Sequence, residues 1–208
     1  PLSIRAALAL GADYVVLGSV HQALLEAGTS ALVKQMLSTA SITDCGFGAA
    51  PDMFEQGSQV QVLTQRTLYA NRSQKLYRFY RRYDSLESME SADRQQLEKM
   101  IFQAPIEAIE TETKEFWQSH YPKMWERAET DPKRRLALVL RWYLGQSSRW
   151  AREGIAERQR DFQIWCGPAI GRFNQWSADV GLSDPEHRCA ESVTQALITS
   201  AFEPRSFQ

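Results

Sequence analysis

The sequence has few cysteines, and no two of them are close together. It contains only three in 208 residues, Cys45, Cys166 and Cys189. An odd number of widely separated cysteines argues against a disulfide framework and favours a reducing cytoplasm. None of the three has a second cysteine or a histidine at ligand spacing, so the sequence predicts no metal site.

Long apolar runs and an excess of charge are also lacking. No stretch approaches the roughly 20 apolar residues that a membrane-spanning helix needs. The 24 Lys and Arg residues nearly balance the 25 Asp and Glu residues, for a formal net charge of -1. This balance gives no electrostatic case for binding nucleic acid or a membrane surface. The composition, 43% hydrophobic and 24% charged, is that of an ordinary globular protein.

Several catalytic motifs are missing. The absence of a G-x-S-x-G nucleophile elbow argues against an acyltransferase or an esterase. Neither a P-loop nor a G-x-G-x-x-G fingerprint occurs. The three histidines, His21, His120 and His187, are scattered, and only His21 lies beside a candidate site. A packing or hydrogen-bonding role is the more common one for such a histidine.

The first residues predict a β/α unit and a chain that is a piece of a longer protein. Residues 1–10 contain neither an initiator Met nor the pattern of a signal peptide. Residues 3–10 have helical spacing and end at Gly11, and residues 13–17 form a short β-branched run typical of a buried parallel strand. A helical pattern begins again near His21. Because one such strand needs parallel neighbours, we expect most of its sheet to lie before Pro1.

The rest of the chain is predicted to be mostly helical. Residues 41–58 indicate a loop with a short helical turn around Met53, and residues 59–63 could form a small strand. The spacing predicts helices near residues 72–83, 91–102, 105–118, 131–152, 157–176 and 184–201. The predicted organisation is therefore an α/β remnant at residues 1–45 followed by a mostly helical domain at residues 46–208.

Gly18 and Ser19 are the first candidate for a binding site. A glycine at the carboxyl end of a parallel strand lets backbone N–H groups approach a phosphate, and the next hydroxyl adds a donor. Barrels of alternating strands and helices commonly bind a phosphate in this way. The alternative is that Gly18 only ends the strand.

Aromatic and basic side chains form two further patterns. Aromatic residues recur at helical spacing, which is typical of a core, although the same stripes could line a tunnel for an acyl chain. Basic residues cluster in two segments, where they could attract an acidic carrier protein or form a solvated face balanced by acidic neighbours. The basic residues are Arg72, Lys75, Arg78, Arg81, Arg82, Lys133, Arg134 and Arg135.

Several stretches together resemble the PfaD-type enoyl reductases, the trans-acting reductases of polyketide and polyunsaturated fatty acid synthases, which are relatives of nitronate monooxygenase. Residues 80–84 (YRRYD) and 163–169 (QIWCGPA) are the most distinctive. Residues 11–22 (GADYVVLGSVHQ) are similar to the flavin-phosphate turn, which many flavin barrels share. Further similar stretches are residues 26–30, 50–55, 76–87, 131–138, 141–150 and 161–176.

The resemblance implies an FMN-binding (β/α)8 TIM barrel with a helical domain similar to the one inserted in malonyl transacylases. It implies hydride transfer from NADPH through the flavin to the β-carbon of an enoyl thioester on an acyl carrier protein. Gly18 and Ser19 match the flavin-phosphate turn and would bind FMN. His21 departs from the family, which usually has Asn there. Because most of the barrel would precede Pro1, we assign no catalytic residue in this chain.

Two other functions stay open at this point. A nitronate monooxygenase-type oxidase would keep the fold and act on a small molecule. A non-catalytic helical docking module of a synthase would instead bind a carrier protein through Arg78, Arg81 and Arg82. A homodimer is compatible with each of these functions.

Overall fold

The chain is predominantly helical, as the sequence predicts. The computed structural model describes residues 1–202, so the last six residues of the predicted helical domain, 203–208, lie outside the described residues. The helices are α1 (Leu2–Ala9), α2 (Ala31–Ser38), α3 (Tyr69–Arg82), α4 (Ser91–Gln96), α5 (Ile106–His120), α6 (Pro122–Thr130), α7 (Pro132–Glu153), α8 (Ala169–Asp179) and α9 (Ala190–Phe202), and the strands are β1 (Cys45–Ala49) and β2 (Gln59–Leu63). A π-helical segment, Leu97–Phe102, directly follows α4.

The predicted strand at residues 59–63 is confirmed, but its two neighbours were not predicted. β1 pairs antiparallel with β2, with Cys45 opposite Leu63. On the other edge of β2, the N–H of Leu63 donates to the Ile164 carbonyl at 2.8 Å. The predicted helix at 157–176 is therefore wrong at residues 162–168, which lie between a 3-10 helix, Ala156–Asp161, and α8. Residues 162–164 are all buried, and Trp165 forms an antiparallel bridge with Val62 of β2.

The prediction of a strand at residues 13–17 is wrong for the described structure. Those residues form no strand, and Tyr14 and Val16 are 78% and 80% exposed. No backbone N–H of residues 13–20 has an acceptor among residues 1–202. A parallel strand forms only beside another strand, and the described residues supply none there. The helix predicted from His21 is reduced to a 3-10 turn, His21–Ala23.

The long helix α7 begins and ends where its sequence predicts. The Asp131 carboxylate accepts a hydrogen bond from the N–H of Arg134, and Pro132 occupies the first helical position. Gly154 follows the helix with a φ of +74°, the left-handed conformation that favours glycine. Buried residues on α7 include Leu136, Val139, Leu140, Tyr143 and Leu144.

Two large hydrophobic cores meet at Trp150 of α7. The first core joins α3, the π-helical segment, α5 and α7. The second core joins Val20 and α2, near the start of the chain, to Phe162, α8 and α9, near its end. Residues 20–40 are thus packed against residues 162–197, and the division of the chain at residue 45 stays a prediction.

The predicted helix at 184–201 begins later than expected, at Ala190. Before it, residues 182–188 wrap around the buried guanidinium of Arg188, which donates to the carbonyl of Leu182 and to the side chains of Asn174 and Ser177. These bonds hold the chain in a turn in which a regular helix cannot continue. Helix α6 was not predicted. Within residues 1–202, no helix combines the length and the apolar character that crossing a membrane requires.

Candidate functional site

The turn at Gly18 and Ser19 follows the exposed segment 13–17. Gly18 is exposed, and a side chain added there would meet no atom within 4 Å. The carbonyl of Gly18 accepts a hydrogen bond of 3.1 Å from the N–H of His21, which closes the turn. The N–H groups of Gly18, Ser19 and Val20 have no acceptor among residues 1–202. The turn therefore presents consecutive free donors, as a phosphate-binding loop does.

The same turn is fastened to the QIWCGPA stretch at residues 163–169. The Ser19 Oγ accepts a hydrogen bond of 2.9 Å from the N–H of Gly167. The Gln22 amide donates to the Trp165 carbonyl at 2.6 Å. The hydroxyl hydrogen of Ser19 makes no bond among the described residues, so it remains able to donate to a ligand. The sequence pattern identified both stretches separately but gave no sign that they touch.

An open cleft of about 360 Å³, which we call the turn cleft, reaches the turn region through Gln22, while Gly18 and Ser19 are not among its lining residues. Gln22, Thr29, Ser148, Arg152 and Trp165 are among its lining residues. The Trp165 side chain is 48% exposed, whereas Ile164 and Cys166 on either side of it are buried. This indole is the one member of the QIWCGPA stretch that offers a large apolar surface to a ligand.

His21 lies at the far side of the turn and forms no part of the turn cleft. It is exposed and borders an apolar cleft of about 550 Å³ between segment 13–17 and α9. Its side chain makes no hydrogen bond among the described residues. The structure therefore shows His21 closing the turn through its backbone, and it gives no evidence for an acid–base role.

Most side chains of the aromatic stripes are buried in the hydrophobic core, as their helical periodicity favours. Phe79, Tyr83, Tyr143 and Phe162 are all buried. Burial raises the pKa of Tyr143, whose hydroxyl donates to Asp161 at 2.8 Å. Trp142 differs because it is only half-buried and borders an open cleft between α5 and α7, which we call the aromatic cleft.

The aromatic cleft has a volume of about 400 Å³. Phe116 and Trp117 of α5 form one wall, and Trp142 of α7 forms another. The indole N–H of Trp142 donates to Glu112 at 3.0 Å, and its ring packs edge-on against Phe102 with centroids 5.6 Å apart. These contacts fix the orientation of the ring. The cleft is thus a preformed apolar surface, the kind that binds a hydrocarbon chain.

The basic clusters are mostly neutralised by ion pairs. Arg82 pairs with Glu90 and Asp93, and Arg135 pairs with Glu87. Lys133, Arg134 and Arg72 have the carboxylate partners Asp84, Asp131 and Asp161. Arg78 and Arg81 have no such partner among residues 1–202. The structure therefore favours a solvated, balanced face over a concentrated basic surface.

Cys45 and Cys166 show no sign of catalytic activation, whereas hydrogen bonding with Ser192 lowers the pKa of the Cys189 thiol. Cys166 is 3% exposed, as expected for a buried thiol, and its Sγ lies 3.6 Å from the Sγ of Cys45 without a disulfide. Burial raises the pKa of both thiols, which disfavours the reactive thiolate. Within residues 1–202, no group of three or more His, Cys, Asp or Glu side chains is placed to hold a metal ion.

Comparison with known proteins shows that the chain is similar to an enoyl reductase domain and to components of polyketide and polyunsaturated fatty acid synthases. Over 96% of the chain, the fold matches the enoyl reductase domain of MlnA from the macrolactin biosynthesis cluster of Bacillus amyloliquefaciens, with a TM-score of 0.88 and 33% identity. Residues 83–162 match the family model for the inserted helical domain of acyl-carrier-protein S-malonyltransferase. This range runs from the end of α3 through α7.

Relatives by sequence come from the same pathways. The chain is 44% identical over 207 residues to a component of the polyunsaturated fatty acid synthase of a Thraustochytrium species, and 38% identical over 200 residues to the polyketide biosynthesis protein PksE of Bacillus subtilis. These relatives and the MlnA domain confirm the resemblance drawn from the sequence. The chain spans 14% and 26% of the lengths of the two relatives and 45% of the MlnA chain.

Proposed function

We propose that this chain is the carboxyl-terminal part of a flavin-dependent enoyl reductase. In this proposal FMN and NADPH are the cofactors, and the substrate is an enoyl thioester on an acyl carrier protein of a polyketide or polyunsaturated fatty acid synthase. The observation that carries the proposal is the row of backbone N–H groups at residues 13–20 with no acceptor among the described residues. The similarity to the MlnA enoyl reductase domain supports it.

Residues 1–45 would close an FMN-binding (β/α)8 barrel in the complete protein. Segment 13–17 is apolar and exposed, and its N–H groups need acceptors. Burying Tyr14 and Val16 against neighbouring strands would remove two large apolar side chains from water, each worth roughly 1.5–3 kcal/mol. Pairing in a parallel sheet satisfies the free backbone donors at the same time.

Gly18 and Ser19 would bind the flavin phosphate. The open space at Gly18 and the free N–H groups of the turn fit an anion, and the Ser19 hydroxyl can donate to it while accepting from Gly167. The bound flavin would supply hydride transfer from NADPH to the enoyl thioester. In this proposal the role of this chain is to hold the phosphate. The hydrogen bond from Gln22 to Trp165 fixes the turn against residues 163–167.

The test is an activity assay on the protein that contains this chain and a complete barrel. We expect NADPH to be oxidised in the presence of FMN and an enoyl-pantetheine thioester, with one saturated thioester formed per NADPH. Turnover of a nitroalkane with oxygen, and none of the thioester, would instead identify a nitronate monooxygenase-type oxidase. Loss of all flavin chemistry, with carrier-protein binding retained, would identify a docking module.

A further inference from the structure

The aromatic cleft and the turn cleft share one residue, Arg152, at the last turn of α7. Arg141 and Arg149 also border the aromatic cleft, but they face Glu55 and Glu153, at 3.6 and 2.8 Å. Arg152 is exposed and has no carboxylate partner or hydrogen bond among residues 1–202. The junction of the clefts therefore carries a guanidinium that is free to bind an anion.

The chemistry of the aromatic cleft changes along α7. From Arg152 toward the middle of the helix, the cleft is lined first by Arg149, which is paired with Glu153, and then by Gln146, whose amide has no partner among the described residues. Beyond it, Trp142 and Leu138 face Phe116 and Trp117 of α5. Arg152 and Leu138 are 14 positions apart on one helix, a distance of about 21 Å. A ligand along this face meets two arginines first, then the amide of Gln146, and then the aromatic rings, beside which Arg141 and Glu112 also line the cleft.

We propose that the aromatic cleft binds the phosphopantetheine arm of an acyl carrier protein together with the first carbons of its acyl chain. The arm has a phosphate at one end, two amides in its middle and the acyl thioester at the other end, which is the order of groups that α7 presents. Arg152 holds the phosphate, Gln146 bonds an amide, and the acyl carbons lie between Trp117 and Trp142. This site rests on the proposed function, because it names the carrier-bound substrate of the same enzyme.

The binding can be measured on residues 1–208 without flavin, NADPH or turnover. The probes are octanoyl-phosphopantetheine and octanoyl-pantetheine, which differ only in the phosphate, and the signal is tryptophan fluorescence, since Trp117 and Trp142 line the cleft. We expect the phosphorylated probe to bind roughly tenfold more tightly, as a charge-assisted contact to phosphate provides. Because no cofactor is present, failure here is distinct from failure of the reductase activity.

Two variants locate the site. Arg152→Gln is expected to abolish the tenfold preference and leave the binding of octanoyl-pantetheine unchanged, whereas Arg172→Gln, at an exposed arginine on α8, preserves the preference. Gly145→Leu places a side chain in the open space of the cleft wall. This variant is expected to weaken the binding of both probes by about tenfold or more. The helix propensity of leucine exceeds that of glycine, so an unchanged or higher melting temperature shows that the variant folds.

Three results would overturn the site. If the wild-type chain binds the two probes with equal affinity, or binds neither, Arg152 does not hold the phosphate. Full binding by a folded Gly145→Leu chain excludes the cleft as the location. Sedimentation that shows a dimer in the wild-type chain and a monomer in Gly145→Leu, without probe binding, would show instead that the cleft is a contact between two copies.

Discussion

The hydroxyl oxygen of Ser19 accepts a hydrogen bond of 2.9 Å from the backbone N–H of Gly167, across a sequence separation of 148 residues. This bond joins the proposed phosphate turn to the stretch that is most distinctive of the enoyl reductases. The turn therefore depends for its shape on the carboxyl-terminal part of the chain. A flavin barrel and the residues that follow it would thus share one binding site.

Ser19→Ala removes the acceptor of the Gly167 N–H and is expected to destabilise the chain by about 1 kcal/mol, because a partly buried donor loses its partner. The measurement is the midpoint of urea unfolding at constant slope. Ser38→Ala is the matched control, since the Ser38 hydroxyl only donates to the Gln35 carbonyl in its own helix, and we expect a change within about 0.5 kcal/mol. Equal effects of the two substitutions would contradict a special role for the Ser19 bond.

Gly171 and Gly145 both lie in helices, yet their substitution by alanine should change the stability of the fold in opposite directions. A Cβ at Gly171 of α8 would overlap backbone atoms of Ser41 and Ile42, which have no flexible end to move aside. We expect Gly171→Ala to cost at least about 2 kcal/mol. Gly145→Ala meets open space on α7 and should stabilise by up to about 1 kcal/mol. Calorimetric melting of both variants decides this, and a stable Gly171→Ala chain would refute the close contact between α8 and residues 41–42.

The carboxylate of Glu26 should make the stability of the fold depend on pH. Its carboxylate accepts from the N–H of Ala190, the first residue of α9, with both oxygens at 3.0 Å. This bond lowers the pKa of Glu26 from its usual 4.5. A lowered folded-state pKa stabilises the fold above pH 4.5, and the stabilisation is lost as the pH falls through the folded value.

The wild-type chain should therefore melt higher than Glu26→Gln at pH 6, and the difference should shrink as the pH falls below 4.5. Glu157→Gln serves as the control, because the exposed Glu157 side chain has no hydrogen bond or ion pair among residues 1–202. A difference between wild type and Glu26→Gln that is constant with pH would show that the bond does not depend on the charge.

The sequence predicts those parts of the fold whose signals are local. Asp131, Pro132 and Gly154 mark the ends of α7 in the sequence, and periodicity predicts most of α3 and α5. Residues 162–168 were mistaken for helix because Phe162 and Trp165 are three positions apart, which is a helical spacing, and only the pairing with β2 shows that this stretch is extended. The prediction of a strand at 13–17 was wrong for a related reason, since a parallel strand forms only beside another strand and residues 1–202 place none there.

The candidate site was predictable only in part. The glycine and hydroxyl at positions 18 and 19 follow a pattern that predicts a phosphate turn. Nothing local indicates that Gly167 would contact Ser19, or that Arg152 would lie where two clefts meet. These relationships arise from the shared core of residues 20–40 and 162–197, and a single sequence carries no direct signal of such long-range packing.

The central claim is that Gly18 and Ser19 bind a flavin phosphate in a barrel that this chain completes. The most direct test is the visible absorbance spectrum of the protein with a complete barrel, purified as wild type, as Gly18→Val and as Gly145→Val. Both glycines have open space at the Cβ position, but only Gly18 belongs to the turn. The account predicts bound flavin in the wild type and in Gly145→Val, and its loss in Gly18→Val. Full flavin occupancy in Gly18→Val, or a wild-type protein that binds no flavin when FMN is supplied, would contradict it.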